Sequence, residues 1–122
     1  MTVRALFVTR VYEASLAAER GFAELNTELE EACLSLAQED MAGRAWCREH
    51  RYGGYTSYAS LDDLPQRMSV FDVLKRKLDK HAAQFARDLS FDLGGARLKM
   101  NSLWVNVLKP GAAHTSHIHP HS

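Results

Sequence analysis

The sequence predicts an α+β fold organised as one domain. Three observations carry this expectation. Residues 3–12 (VRALFVTRVY) form a run rich in Val, Leu and Phe, with strand character. Two longer stretches repeat apolar residues at helical spacing. Residues 97–109 (RLKMNSLWVNVLK) form a second strand-like run. A length of 122 residues fits a single domain, 1–122.

The elements follow in order. After the first strand, Ser15 is placed to cap a helix over 16–43. Phe22, Leu25, Leu29, Cys33 and Leu36 recur at steps of three or four and make its apolar stripe. Gly21 costs about 1 kcal/mol relative to Ala, so an irregular first turn is expected. Residues 46–64 change character. Tyr52, Gly53, Gly54, Tyr55, Ser57 and Tyr58 show aromatic density without a period, which suggests a loop pinned to the domain body. Ser69 then caps a second helix, with Asp72 at the capping-box position. Phe71, Leu74, Leu78, Ala82, Phe85 and Leu89 form its stripe. Lys75, Arg76, Lys77 and Lys80 read as its solvated face. Gly94 and Gly95 end the helical region. In the last strand, Trp104, Asn106 and Leu108 share one face, and Leu103, Val105 and Val107 share the other. Both faces are apolar toward the end, so cover on both sides is expected. Pro110-Gly111 is a turn.

Composition excludes several classes. Fifteen basic and fifteen acidic side chains cancel to a net charge of zero. A nucleic-acid binder draws affinity from a cationic surplus, so no nucleic acid is expected as a partner. No run of about 18 apolar residues exists, so no membrane span is expected. The opening residues alternate too quickly for a secretion signal. Cys33 and Cys47 are too few for a disulfide framework. The expectation is a cytoplasmic chain, with a homodimer left open.

Histidine is the outlier. Six are present, four of them among residues 114–122. In a strand, His117 and His119 would present two imidazoles to one side, with Ile118 opposite. Paired neutral imidazoles suit Fe, Zn, Ni or Cu. His114 has the other parity, and His121 follows Pro120. Two plainer readings stand beside this one: a solvated tail that binds metal adventitiously, or one ligand beside one structural histidine. In either case two histidines do not complete a site. A third ligand is needed, and no carboxylate lies close in sequence.

Residues 103–122 (LWVNVLKPGAAHTSHIHPHS) resemble a family of bacterial and phage Fe(II)- and 2-oxoglutarate-dependent oxygenases. The resemblance spans essentially the whole chain. It includes Leu6, Phe7, Thr9, Val11 and Tyr12 at the start, Gly53, Gly54 and Ser57 in the loop, and the long helix before W-x-N. Its specific part is Trp104, Asn106, Pro110, Gly111, His117, His119 and Pro120. Residues 105–120 are also similar, more distantly, to the aspartyl/asparaginyl β-hydroxylases. That similarity sets His117 on the first iron ligand and Asn106 on a cosubstrate-contacting Ser. His119 stands where most such oxygenases have Asp and the β-hydroxylases have Gly.

The resemblance implies a double-stranded β-helix, a cupin-like jelly roll, with the two long helices packed on its sheet. Two or three strands cannot close such a barrel. The chain is therefore expected to be the N-terminal portion of an oxygenase domain continuing beyond Ser122. The implied activity is hydroxylation by Fe(II) with 2-oxoglutarate as cosubstrate, acting on a small-molecule or peptide substrate that the sequence does not identify. His117 and His119 are the expected metal ligands and Asn106 the cosubstrate contact. Trp104 is read as packing. The alternatives are a cupin-like metal-binding protein without oxygenase activity and a Zn-dependent hydrolase or isomerase.

Overall fold

A computed structural model describes residues 1–118. The order is α1 (Phe22–Glu39), α2 (Met41–Glu49), β1 (Gly54–Thr56), α3 (Leu64–Arg67), α4 (Ser69–Asp88) and β2 (Asn106–Leu108).

The single helix expected over 16–43 is two helices. Asp40 interrupts it, with φ −76° and ψ 86°. Its N–H still closes α1 on Leu36 O at 3.0 Å, while its carboxylate accepts from Gly43 N at 3.0 Å and so caps α2. One residue therefore ends one helix and starts the next, because a short carboxylate satisfies N–H groups that the helix start leaves open. Gly43 lies inside α2 rather than ending a helix. A Cβ there would overlap the Asp40 carboxylate and lie 2.7 Å from Ser60 Oγ. Ser15 does not cap α1. Its hydroxyl accepts locally from Ala17 N, and α1 begins after Gly21, which takes the left-handed φ of 78°.

The second helix lies where its stripe placed it. Met68 is extended and Ser69 is the first helical residue, without a side-chain cap. Asp72 instead pairs with Arg76 at 2.8 Å. Phe71 is buried. Of the cations assigned to a solvated face, Lys75 and Lys77 are half-buried in ion pairs with Asp79 and Glu19.

Buried Ala32, Cys47, Tyr55, Leu64, Phe71 and Val105 form the core, flanked by Leu29, Leu36, Trp46, Leu61 and Val107. It lies where α1, α2 and α4 meet the β1–β2 pair. The thiols of Cys33 and Cys47 are free. No helix among the described residues is long and apolar enough to cross a membrane.

The jelly roll is not the architecture. The described residues hold two three-residue strands in one antiparallel sheet, and helices dominate. Residues 3–12 are not a strand: 1–11 are exposed and join no ladder. Two side chains dock on α4: Arg10 donates to the Asp88 carbonyl, and Tyr12 has its phenol 2.8 Å from His81 Nδ1 and its ring tilted on Phe85. The strand expected over 97–109 contracts to Asn106–Leu108, with a lone parallel bridge from Leu103 to Asp63. Alternation of residue types gives strand character, but a strand exists only where a neighbour supplies the ladder. Here the only ladder partner described is Gly54–Thr56. The expected cover on both sides also fails: Val105 is buried, while Asn106 and Leu108 are exposed.

Candidate functional site

The region between residues 52 and 58 and the β2 strand carries most of the chemistry. Its frame is Ser57, which is fully buried. Ser57 N donates to Val105 O at 2.9 Å, and Ser57 Oγ accepts from Val105 N at 3.0 Å. The same hydroxyl donates to Leu61 O at 2.8 Å. Beyond this clamp, β1 and β2 pair in the register Thr56 with Asn106, Tyr55 with Val107 and Gly54 with Leu108. Gly54 is required by close approach. A Cβ there would overlap the Val107 carbonyl oxygen and come within 2.9 Å of Leu108 Cα. The G-G-x-x-S pattern thus has a physical reading: one glycine admits the partner backbone and the serine locks it.

Asn106 faces Thr56. Thr56 Oγ1 accepts from Tyr58 N at 3.2 Å and donates to Asn106 Oδ1 at 2.6 Å. This assigns the amide orientation, because the hydroxyl hydrogen needs an acceptor. The Asn106 NH2 remains a donor on the exposed side. Trp104 packs edge-on against Tyr58 with centroids 5.2 Å apart, and Tyr58 in turn meets Trp46. Trp104 is half-buried, as a packing role requires.

After β2, a turn at Pro110-Gly111, closed by Ala112 N donating to Lys109 O at 3.0 Å, carries the chain back past the start of β1. His114 comes beside Tyr52, its Nε2 2.9 Å from the phenol oxygen and the rings 5.3 Å apart. Burial, and then the nearby Cys47, push the Tyr52 phenol above its ordinary pKa, so it stays protonated near neutrality. His117 follows, its ring 6.0 Å from that of His114. His117 Nδ1 lies 3.0 Å from Thr115 O. A carbonyl only accepts, so Nδ1 carries the hydrogen in the neutral ring and Nε2 is the basic nitrogen. Residues 112–118 lie outside any strand, so the alternation that separated His114 from His117 does not operate. His119 lies outside the described residues. No group of three His, Cys, Asp or Glu suited to a metal occurs among the described residues.

Tyr52 also lines a cleft of about 420 Å³. Arg44, Arg48 and Lys109 surround its mouth, and Tyr55, Val107 and Leu108 form its apolar wall. Arg44 is steadied by Gln38, whose carbonyl it reaches at 3.0 Å. This cleft is not evident in the sequence. Arg44 and Arg48 stand four apart on α2 and share a face, but only with the break at Asp40 known does that face point anywhere in particular. Tyr52 joins the two features, lining the cleft and holding His114.

Asp40 makes a separate polar knot. Its Oδ2 accepts from Tyr55 OH at 2.7 Å and from Ser60 Oγ at 2.5 Å. Burial pushes the carboxyl up, but the bonds from Ser60, Tyr55 and Gly43 outweigh it and hold the pKa below the usual range. All three bonds that it accepts come from the fold, so its role is structural.

No family model and no curated protein matches this chain.

Proposed function

We propose that this protein is an Fe(II)- and 2-oxoglutarate-dependent oxygenase of the hydroxylase type. The observation that carries the reading is the position of Tyr52, between an imidazole pair and a cationic cleft. The W-x-N…P-G…H-x-H-P resemblance supports it independently.

The donor set suits the metal. Two imidazoles, His114 and His117, are fitted to a borderline divalent ion such as Fe(II). The resemblance names His117 and His119; the geometry adds His114. Tyr52 would orient His114 through its second ring nitrogen, as partners of ligating histidines do. The Thr115 carbonyl would do the same for His117. Arg44, Arg48 and Lys109 suit the carboxylates of a short diacid, two of them through planar forked donors. Asn106, whose amide hydrogens lie on the exposed side, is the cosubstrate contact that the resemblance implies. When bound, iron, 2-oxoglutarate and dioxygen supply oxidative decarboxylation to succinate and carbon dioxide, coupled to hydroxylation of a substrate C–H bond. The chain's part is to hold, orient and neutralise charge.

The test is anaerobic. Protein loaded with Fe(II) should gain a weak visible absorption band when 2-oxoglutarate is added. Asn106→Ala and Arg48→Ala should each weaken that titration by about 1–3 kcal/mol, the cost of a lost hydrogen bond to a charged group. Neither should remove the metal. Metal binding with no band and no uptake of 2-oxoglutarate at millimolar concentration would overturn the reading. One observation favours that second outcome, a metal-binding protein without oxygenase activity: no carboxylate joins the two imidazoles among the described residues.

A further inference from the structure

A second groove with a cationic lining lies away from this site. Asp88 ends α4, and the chain turns through Ser90, a non-glycine residue in the left-handed region with φ 57°. Phe91 N donates back to Ala86 O at 3.0 Å, which sets Phe91 beside the helix end with its side chain largely exposed. Gly94 and Gly95, at φ 57° and 81°, reverse the chain. It returns along α4 and is fastened where Met100 N donates to Asp79 Oδ1 at 2.8 Å. The result is a groove of about 560 Å³ between α4 and residues 91–99. Its floor is Ala83, Ala86, Phe91, Leu93 and Leu98. Its rim carries Arg76, Lys80, Arg87, Arg97 and Lys99, with Asp79 the one carboxylate of the lining.

The rim is neutralised, among the described residues, only at Arg76, which pairs with Asp72. Asp79 is engaged by Lys75 and by Met100 N, and Asp72 is engaged by Arg76. Among the described residues no carboxylate lies within ion-pair distance of Lys80, Arg87, Arg97 or Lys99. A third of the Lys and Arg of a chain with zero net charge thus rings one apolar floor. Residues 97–99 join no ladder among the described residues, so their backbone can pair with an added extended segment.

We propose that this groove docks an acidic peptide segment that inserts an apolar side chain between its charges. Charge complementarity supplies the sign of the partner, and the apolar floor supplies the need for an apolar anchor. The chain's own opening residues do not qualify, since 1–12 carry Arg4 and Arg10 and no acid. A nucleic-acid strand offers the negative charge, but its bases would find one ring to stack on, Phe91, in a floor otherwise made of Ala and Leu. This docking site is distinct from the Tyr52 site and does not depend on its assignment.

The test uses a fluorescein-labelled peptide, EEDLFDEE, titrated with the whole protein. Anisotropy should rise and saturate in the micromolar range. The R97E/K99E double variant should weaken binding about tenfold or more, and so should Phe91→Ser. These residues are exposed, and circular dichroism checks that the variants remain folded. A peptide with serine for its Leu and Phe should also lose about tenfold. Equal binding of the serine peptide, or of R97E/K99E, overturns the proposal. So does tighter binding of a labelled single-stranded oligonucleotide. Sedimentation showing self-association that R97E/K99E disperses would also overturn it, by making a second copy the occupant.

Discussion

Tyr55 donates its phenolic hydrogen to Asp40 over 2.7 Å, tying β1 to the junction of α1 and α2. The carboxylate also caps α2 and holds Ser60, so three segments converge on one side chain. Tyr55→Phe removes one bond to a charged group and leaves the rest. It should cost about 1.5 kcal/mol. Asp40→Ala removes the cap and strands the Tyr55 hydroxyl, while Ser60 Oγ keeps the Ser57 carbonyl at 3.3 Å, and should cost about 2–3 kcal/mol. Urea unfolding of both variants checks the order.

The same knot sets a pH dependence. The Asp40 carboxyl titrates lower in the folded chain than its ordinary value of 3.8. A depressed acid adds stability above the unfolded value. That contribution is lost as pH falls through the folded value. Stability should therefore decline on the acid side below about pH 4. Asp40→Asn should flatten that limb relative to the parent. An unchanged acid limb would show that other carboxylates, such as Asp79 beside Lys75, carry it.

Ser57 and Gly54 should be intolerant for different reasons. Ser57→Ala leaves the buried Val105 N–H and Leu61 C=O each short of a partner and should cost about 2–3 kcal/mol. Gly54→Ala forces a methyl group against the backbone of β2 and should separate the two strands. Loss of His114 from Tyr52 should follow, read as a change in the Tyr52 fluorescence or in the His114 imidazole resonances. A fully stable Gly54→Ala would contradict the described register.

The sequence revealed α4 well, because Phe71 and its stripe repeat without interruption over a full helix. It revealed α1 less well. Asp40 fits a helical stripe as an exposed position, and nothing in its type distinguishes a solvated aspartate from one that turns back to cap the next helix. Residues 3–12 were misleading for a more general reason. Val3, Leu6, Phe7, Val8 and Val11 have strand character, but pairing is a property of two segments, and all five are exposed here. The jelly roll came from the resemblance and not from the residues, and the described strands do not build it. At the site, the G-G-x-x-S pattern and Asn106 could be found in the sequence. Their partners Val105 and Thr56 could not, because both contacts cross about fifty residues of chain. The Arg44–Arg48–Lys109 rim was hidden for the same reason.

The core prediction separates two aromatic residues of α4. Phe71 is 2% exposed and sits in the central cluster. Phe71→Ala should cost about 3–5 kcal/mol. Phe85 is only half-buried and rests on Tyr12, so Phe85→Ala should cost clearly less. Thermal denaturation gives the comparison. Equal losses would mean that the opening residues contribute a core surface of their own.

The last prediction concerns the imidazole pair. His114 and His117 lie 6.0 Å apart between ring centres, and only His114 is held by Tyr52. If both ligate one ion, His117→Ala and His114→Ala should each abolish stoichiometric binding of Co(II), read as loss of its visible d–d bands. Tyr52→Phe should keep the ion and weaken it by about 10–100-fold, since it removes an orienting partner and not a ligand. His50→Ala should change nothing, because that ring stacks on Trp46 on α2. If His114→Ala binds Co(II) as the parent does while His117→Ala does not, then His114 is a neighbour only, and the second ligand is another residue, with His119 the first to test. If each histidine variant lowers binding by a similar small fraction, the ion is held adventitiously and the metal assignment fails.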